Sequence, residues 1–408
     1  MDALKMNIDS ISEKYVRLSL AMGQHDPDYV DAYYGPAEWK EQAEKQNRPV
    51  QEIRDESDSL LKSLAIIARP QEEMERLRYD YLQRQIESLG AFAEMKLGKK
   101  FSFDEESRAL YDAVSPHLSE EHFIELMNQL DTALPGEGSI QERYDSYLKN
   151  FIIPKEKVDE VFRLALAESR KRTNQHIALP SEENFTVEYV TNKPWGGYNW
   201  YQGNYHSLIQ INTDLPIYIS SAIGLAGHEG YPGHHVYNVL LEQEMLRKRK
   251  WIEFSIYPLH SSQSLIAEGS ANYGVEILFP KTERVQFEQK ILFPAAGLDP
   301  SRAAEYYRID ELVEKLSYAG NEAARRLLDG QWTDEQAVQW LMTYALNTRE
   351  KAIKRVGFIR KYRSYVINYN LGKDLVAKYI ESRSDTPEQK WKELERLLGS
   401  PRLPSGLR

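Results

Sequence analysis

The chain of 408 residues contains no cysteine. This absence excludes disulfide bonds, thiolate nucleophiles, iron–sulfur clusters and structural zinc sites built on cysteine. Any metal site in this protein must therefore use histidine, aspartate or glutamate side chains. A chain without cysteine also fits a reducing compartment, where disulfides would not persist.

An excess of positive charge and long apolar runs are also missing. The 52 lysines and arginines are outnumbered by 62 aspartates and glutamates, which gives a net charge of −10 and argues against a general nucleic-acid binder. The short basic run at residues 247–250 is interpreted as the solvated end of a helix. No segment reaches the ~18 apolar residues of a membrane span, and residues 1–7 show no signal-peptide pattern. We therefore expect a soluble, cytoplasmic protein with no nucleic-acid or membrane partner.

Most of the sequence shows the periodicity of α-helices. Apolar residues three and four positions apart predict helices in the N-terminal part of the chain, at residues 36–68, 71–98, 118–132 and 154–178. Residues 185–214 alternate instead, which predicts a small antiparallel β-sheet. The expected fold is mainly α, with one such sheet. We divide it into an N-terminal helical region, residues 1–180, and a catalytic region, residues 181–408, that together form one continuous two-lobed unit. No feature of the sequence sets an oligomeric state.

The most distinctive stretch runs from His228 to His235 and reads H-E-G-Y-P-G-H-H. It holds three of the nine histidines, and Glu229 directly follows the first of them. Imidazoles supply ligands for zinc, and an adjacent carboxylate supplies a base for a metal-activated water. The stretch is close to the H-E-x-x-H helix of metalloproteases, but Pro232 stands where the second histidine belongs.

A regular helix would not bring these histidines together. His234 would lie about 120° round the helix from His228, and His235 would share its face but lie ~10 Å further along the axis. Pro232 and Gly233, however, predict a break or a wide bulge. If two residues are extruded there, His234 takes the position of the second ligand, and His235 remains the alternative.

Glu268 is the predicted third ligand. It lies among apolar and small residues on a helical segment, where a carboxylate is costly to bury without a partner. Asn272 shares its face of the helix and is placed to orient a ligating imidazole. The alternative interpretation is a structural corner rich in histidine, or a closed structural zinc site with His260 or His206 as fourth ligand.

These residues resemble the signature of a bacterial family, the domain of unknown function eight-eight-five. Its H-E-x-x-P-G-H-H pattern is followed by E-G-x-A, which here is Glu268 to Ala271. That family is similar to the gluzincin zinc metallopeptidases, whose H-E-x-G-H pattern implies that Gly233 and His234 correspond to its Gly-His pair. Residues 364–373 resemble the family's S-Y-x-x-G segment, without the Pro-Gly-Gln that usually precedes it.

The resemblance implies a multi-helix, zincin-like fold with a deep cleft. It implies one zinc ion bound by His228, His234 and Glu268, with Glu229 as general base. The expected function is a zinc-dependent hydrolase, above all a metallopeptidase that cleaves short peptides. The alternatives are hydrolysis of a non-peptide amide or ester, and a non-catalytic helical protein with a structural metal.

The same resemblance assigns roles to the C-terminal helices and to the predicted hairpin. Tyr369 and Arg363 are the first candidates to donate to the oxyanion or to hold a substrate carboxylate, with Tyr365 and Arg360 as further candidates. The hairpin at residues 198–213 would line the cleft, where its exposed edge would pair with an extended peptide.

Overall fold

The computed structural model describes residues 7–193 and 195–407. Helices account for 68% of it and strands for 8%, which confirms the mainly α class. The α-helices are α1 (Ile8–Met22), α2 (Ala37–Gln46), α3 (Val50–Ile66), α4 (Glu73–Lys96), α5 (Phe103–Tyr111), α6 (Glu120–Ala133), α7 (Ile140–Leu148), α8 (Val158–Thr173), α9 (Ser220–Leu225), α10 (His234–Leu240), α11 (Ser262–Leu278), α12 (Lys281–Phe287), α13 (Phe293–Ala296), α14 (Ala303–Glu314), α15 (Ala319–Leu328), α16 (Asp334–Tyr344), α17 (Arg349–Tyr362), α18 (Ile367–Glu381) and α19 (Pro387–Leu398). The strands are β1 (Val30–Tyr33), β2 (Asn184–Val190), β3 (Gly197–Gly203), β4 (His206–Asn212) and β5 (Ile256–Pro258).

Shorter helical segments join several of these helices. Wide π-helical turns are formed by Ala226–Gly230, Leu241–Lys248 and Glu288–Leu292. Tight 3₁₀ turns are formed by Lys149–Phe151, Lys155–Lys157, Ile252–Ser255, Pro300–Arg302, Lys315–Tyr318, Arg363–Val366 and Pro404–Leu407. The N-terminal helices predicted from periodicity are present as α2 with α3, α4, α6 and α8. Among the residues described, no helix is both long enough and apolar enough to cross a bilayer.

Two small sheets accompany the helices. In the first, β4 lies between β2 and β3; it runs antiparallel to β3 and parallel to β2. The sheet predicted at residues 185–214 is therefore present, but it is mixed rather than wholly antiparallel. β3 and β4 form a tight hairpin through Asn204 and Tyr205, whose φ angles of 54° and 61° suit such a turn. β2 occupies the other edge of β4 and runs opposite to β3, and it is therefore parallel to β4. The second sheet, an antiparallel pair of β1 and β5, was not predicted.

α11 is the central helix of the core. It contains no lysine or arginine, and every residue except Asn272 and Glu276 is buried, as expected of a helix that is apolar or small on all sides. It packs along α18, and a Cβ atom on Gly269 would overlap the backbone of Gly372. This backbone-to-backbone approach brings the α18 side of the molecule next to Glu268.

A cleft of about 1620 Å³ opens beside α11. Its walls are formed by residues of β1, β3, the turn Ala226–Gly230, α11, α17 and α18. Because β1 pairs with β5, the N-terminal region also reaches this cleft and contributes Asp31 to its wall.

Candidate metal centre

The helix that carries His228 is interrupted as the sequence predicts. It widens into the turn Ala226–Gly230, leaves helical geometry, and restarts at His234. The Gly233 amide donates to the Gly227 carbonyl at 2.9 Å. A Cβ atom on Gly233 would overlap the carbonyl oxygen of His228, so this return of the chain requires glycine. The break turns the His234 imidazole back towards that of His228.

Three ligand atoms converge at this break. His228 Nε2 lies 3.1 Å from His234 Nε2 and 3.2 Å from Glu268 Oε2, and His234 Nε2 lies 3.7 Å from the same oxygen. Two ligands held at ~2.1 Å by one tetrahedral ion are about 3.4 Å apart. The spacing of these three atoms therefore fits a single ion, and the group can hold a metal.

The Glu268 carboxylate has one satisfied and one unsatisfied oxygen. Oε1 accepts a hydrogen bond from the Tyr365 hydroxyl at 2.7 Å. Oε2 is buried, faces the two imidazoles, and receives no hydrogen bond from the described residues. A buried carboxylate oxygen without a donor is costly, and a metal ion would remove that cost.

The tautomer of His228 is set by Asn272. The Asn272 amide Nδ2 donates to the Tyr369 carbonyl at 3.0 Å, so its Oδ1 is the atom that lies 3.0 Å from His228 Nδ1. In the neutral, ligating form of His228, Nδ1–H donates to this oxygen, which leaves the Nε2 lone pair directed at the cluster. This is the arrangement that usually orients a metal-ligating histidine.

The cluster is electrostatically suited to a cation. Burial lowers the pKa of His228, but the carboxylates of Glu229 and Glu268 outweigh it and raise the pKa to about 9. Burial opposes ionisation of Glu268, yet the nearby imidazoles of His228 and His234 hold the pKa of that carboxyl well below its usual range. In the absence of a metal, positive charge is therefore already drawn to this position.

Glu229 lies on the wall of the cleft beside the three ligand atoms. Its side chain is buried, and burial raises the pKa of the carboxyl group despite the nearby imidazoles of His228 and His234. The Asn199 amide donates to the Glu229 backbone carbonyl at 2.6 Å and fixes the turn against β3. A carboxylate with a raised pKa is a suitable proton acceptor near neutral pH.

His235 does not join the cluster. It is fully buried and points the opposite way, with Nδ1 2.8 Å from Ser207 Oγ and Nε2 2.9 Å from Glu183 Oε2. Glu183 also accepts from the Tyr231 hydroxyl at 2.7 Å and pairs with Arg170 at 2.6 Å. Of the two neighbouring histidines, the structure thus brings His234 to His228 and Glu268 and places His235 in a closed network.

The histidines considered as a fourth ligand lie elsewhere. His260 is buried, stacks on Phe92 at 4.7 Å between ring centres, and lies 2.9 Å from the Tyr111 hydroxyl through Nδ1. His206 begins β4 and does not belong to the group of ligand atoms. Among the described residues the group therefore has three protein ligands and one side that faces the cleft.

The predicted oxyanion donors separate into two sets. Tyr365 and Tyr369 line the cleft. Arg363 does not: its Nε donates to Glu106 at 2.6 Å. α17 ends at Tyr362, and the φ and ψ of Arg363, 53° and −126°, turn its side chain towards α5. The prediction that Arg363 contacts the substrate is therefore corrected: its guanidinium pairs with Glu106, away from the cleft.

Arg360, the further candidate, lies on α17, is exposed and pairs with Asp334 on α16. Neither arginine lines the cleft. The α17 arginine that does so is Arg355, which no motif marked because it lies in a basic segment resembling a solvated helix face.

Asp31 and Tyr198 are two further cleft residues that the sequence did not mark individually as site residues, although Tyr198 belongs to the hairpin expected to line the cleft. The Tyr198 hydroxyl donates to Asp31 Oδ1 at 2.7 Å, and burial raises the pKa of Asp31 to about 6. The aromatic run on β3, which contains Tyr198, was a weak indication in the sequence that this residue belongs to a site. No sequence pattern indicated Asp31, because its position depends on the pairing of β1 with β5, far along the chain.

The comparisons with known proteins show a shared fold and indicate no activity. No family model and no curated protein matches the chain. A crystal structure of a "putative lipoprotein" from Colwellia psychrerythraea is similar, with a TM-score of 0.54 and 14% sequence identity over 88% of this chain and 68% of that one. At this level of identity the similarity shows a shared fold alone.

Proposed function

We propose that this protein is a zinc-dependent hydrolase, and specifically a metallopeptidase that cleaves short peptides. The observation that carries the proposal is the convergence of His228 Nε2, His234 Nε2 and Glu268 Oε2 at the wall of a large cleft, with Glu229 beside them. The similarity of the motif to the domain of unknown function eight-eight-five, and through it to gluzincins, supports the same reaction class.

The chemistry of the ligands favours zinc. Two imidazoles and one carboxylate form a ligand set of catalytic zinc sites, which have three protein ligands and one open position. The side of the group that faces the cleft supports a catalytic site over a closed structural one. When bound, zinc would polarise the scissile carbonyl and lower the pKa of the attacking water.

The remaining steps belong to the protein's own side chains. Glu229 accepts the proton of the attacking water at its carboxylate and returns it to the leaving amine. Tyr369 is the cleft phenol assigned to donate to the oxyanion. Asn272 and Tyr365 hold His228 and Glu268 in position through the hydrogen bonds described above.

The shape of the cleft favours a peptide over a small amide. Its volume of about 1620 Å³ exceeds the ~300–1000 Å³ of most small-molecule sites. β3 is an edge strand, and residues 197–199 of it lie on the cleft wall. An extended peptide could therefore add to this edge through main-chain hydrogen bonds.

The proposal is tested with the zinc-loaded protein against a pool of short peptides and a panel of non-peptide amides and esters, read by mass spectrometry. We expect peptide cleavage, retained zinc and no turnover in Glu229→Gln, and full activity in Glu137→Gln, a matched change in an exposed loop. Cleavage of the non-peptide panel alone would favour the alternative hydrolase. Full activity of Glu229→Gln would exclude the mechanism.

A further inference from the structure

Arg355, on α17, presents its guanidinium to the cleft. It is partly buried in the wall, with its Cζ 4.9 Å from the centre of the Phe358 ring. Across the described ranges, no carboxylate lies within ion-pair distance of it and no oxygen accepts a hydrogen bond from it. In a chain with 62 acidic and 52 basic residues, an arginine left without a carboxylate in a cleft wall calls for an explanation.

All but one of the other lysines and arginines of the cleft differ from Arg355. Most are neutralised by acidic neighbours or exposed: Arg284 pairs with Glu288, Lys354 with Glu350, and Lys373 with Glu276 and Glu314, while Lys315 is exposed. Lys351 resembles Arg355. It lies one helical turn away, has no ion-pair partner among the described residues, and is 5.4 Å above the ring of Tyr218. One face of α17 therefore carries two uncompensated positive charges into the cleft.

Tyr369 connects this face of α17 to the ligand cluster. The phenol of Tyr369 lies within electrostatic reach of Glu268, Arg355 and Glu229. Its ring is 5.7 Å from that of Tyr365, whose hydroxyl donates to Glu268. Arg355 and the ligand carboxylate Glu268 therefore both lie near Tyr369 in the wall of the same cleft.

We propose that Arg355, assisted by Lys351, binds the free α-carboxylate of a peptide substrate. A planar guanidinium matches a carboxylate with two parallel hydrogen bonds. A partly buried charge without a partner is costly, and a ligand carboxylate offsets that cost. A peptide carries its α-carboxylate only at the C-terminus, so this contact sets the scissile bond near that end. The assignment rests on the proposed function and narrows it to a carboxypeptidase-type activity.

The test measures binding by calorimetry on the zinc-loaded Glu229→Gln protein. The probes are N-acetyl-tetraalanine, its C-terminal amide, and an amidated tetrapeptide that carries one glutamate side chain. We expect the free acid to bind about tenfold or more tightly than either amide. Adding Arg355→Gln should remove this preference, and Arg355→Lys, which keeps the charge but loses the planar fork, should reduce it. Arg349→Gln is the matched control, since Arg349 is exposed on the same helix and pairs with Glu335.

Several outcomes would overturn the assignment. Equal binding of acid and amide would show that the α-carboxylate is not recognised, whether or not any Arg355 variant folds. An undiminished preference in Arg355→Gln or Arg355→Lys would place its recognition elsewhere. Tight binding of the glutamate-containing amide would assign the contact to an acidic side chain instead. Because the readout is binding, a lack of hydrolysis by the unmutated protein would contradict the proposed function without obscuring this result.

Discussion

His234 and His235 are adjacent in the chain and each faces a buried glutamate, but their surroundings differ. Both ring nitrogens of His235 have partners, Ser207 and Glu183. His234 faces Glu268, whose Oε2 receives no hydrogen bond from the described residues and whose neighbours line the cleft. The difference distinguishes a closed network that stabilises the fold from an open one that is complete only when a ligand is bound.

The largest expected contrast is in stability. In the metal-free protein, His235→Ala should lower the free energy of unfolding by about 3 kcal/mol, because it leaves Glu183 buried with a lost partner. His234→Ala should lower it by clearly less, since Glu268 keeps its contacts with His228 and Tyr365 and the His234 ring faces the cleft. Urea denaturation followed by circular dichroism measures both. Equal losses in the two variants would remove the distinction between the networks.

The closed network should also be sensitive to acid. Burial opposes ionisation of Glu183, but hydrogen bonds from His235 and Tyr231 hold its pKa at about 2, below the ordinary 4.5. A depressed carboxyl pKa stabilises the folded state above pH 4.5, and this contribution is lost as the pH falls towards 2. Burial likewise lowers the pKa of His235, so its contribution is lost below its ordinary value of 6.5.

The Glu183→Gln variant isolates the carboxylate part of this effect. We expect its deficit in unfolding free energy to be about 3 kcal/mol at neutral pH and to shrink between about pH 5 and pH 3. Denaturation curves across this range measure the deficit. Glu137→Gln, in the exposed loop, should show none at any pH. A deficit that is independent of pH would contradict the ionised state assigned to Glu183.

Substitutions in the open network around His234 and Glu268 should change the affinity for zinc. Asn272→Ala removes the acceptor of the His228 Nδ1–H, and losing such a partner typically costs about 10–100-fold in affinity. Competition with a fluorescent zinc chelator measures it. Asn238→Ala is the matched control, because Asn238 also lines the cleft but its amide donates to the His234 backbone carbonyl rather than contacting an imidazole nitrogen. Comparable losses in both variants would argue against an orienting role for Asn272.

The smallest expected effect is at Tyr365. Tyr365→Phe removes the single hydrogen bond to Glu268 Oε1 and should weaken zinc binding by about tenfold, since the bond has a charged acceptor. The same chelator assay measures this change. Tyr362→Phe, a cleft tyrosine for which no hydrogen bond to Glu268 is seen, should leave zinc affinity unchanged. Unchanged affinity in Tyr365→Phe would show that packing alone positions Glu268.

Much of the local structure near the cluster follows from residue chemistry. Pro232 and Gly233 predict the break, because proline cannot continue a regular helix and glycine permits the backbone to leave it. Glu268 and Asn272 are placed by helical spacing on one face of an apolar segment. These features depend on neighbours within one or two turns, which is the range over which sequence patterns carry geometric information.

The residues that the sequence did not reveal are positioned by distant contacts. Asp31 reaches the cleft through the pairing of β1 with β5, and β2 pairs in parallel with β4, a strand that follows it only after β3. Arg363 and Arg355 differ in direction because α17 ends at Tyr362 and the chain then turns. No local pattern encodes which of several arginines on one helix meets a carboxylate on another.

The measurement that tests the central claim most directly is zinc content by elemental analysis after reconstitution and gel filtration. It is made on the unmutated protein, His234→Ala and His235→Gln, the last chosen to keep a polar group beside Glu183. We predict one zinc ion per chain in the unmutated protein and in His235→Gln, and none in His234→Ala. The absence of zinc from the unmutated protein, or equal zinc in His234→Ala, would contradict the assignment of His228, His234 and Glu268 as a metal centre.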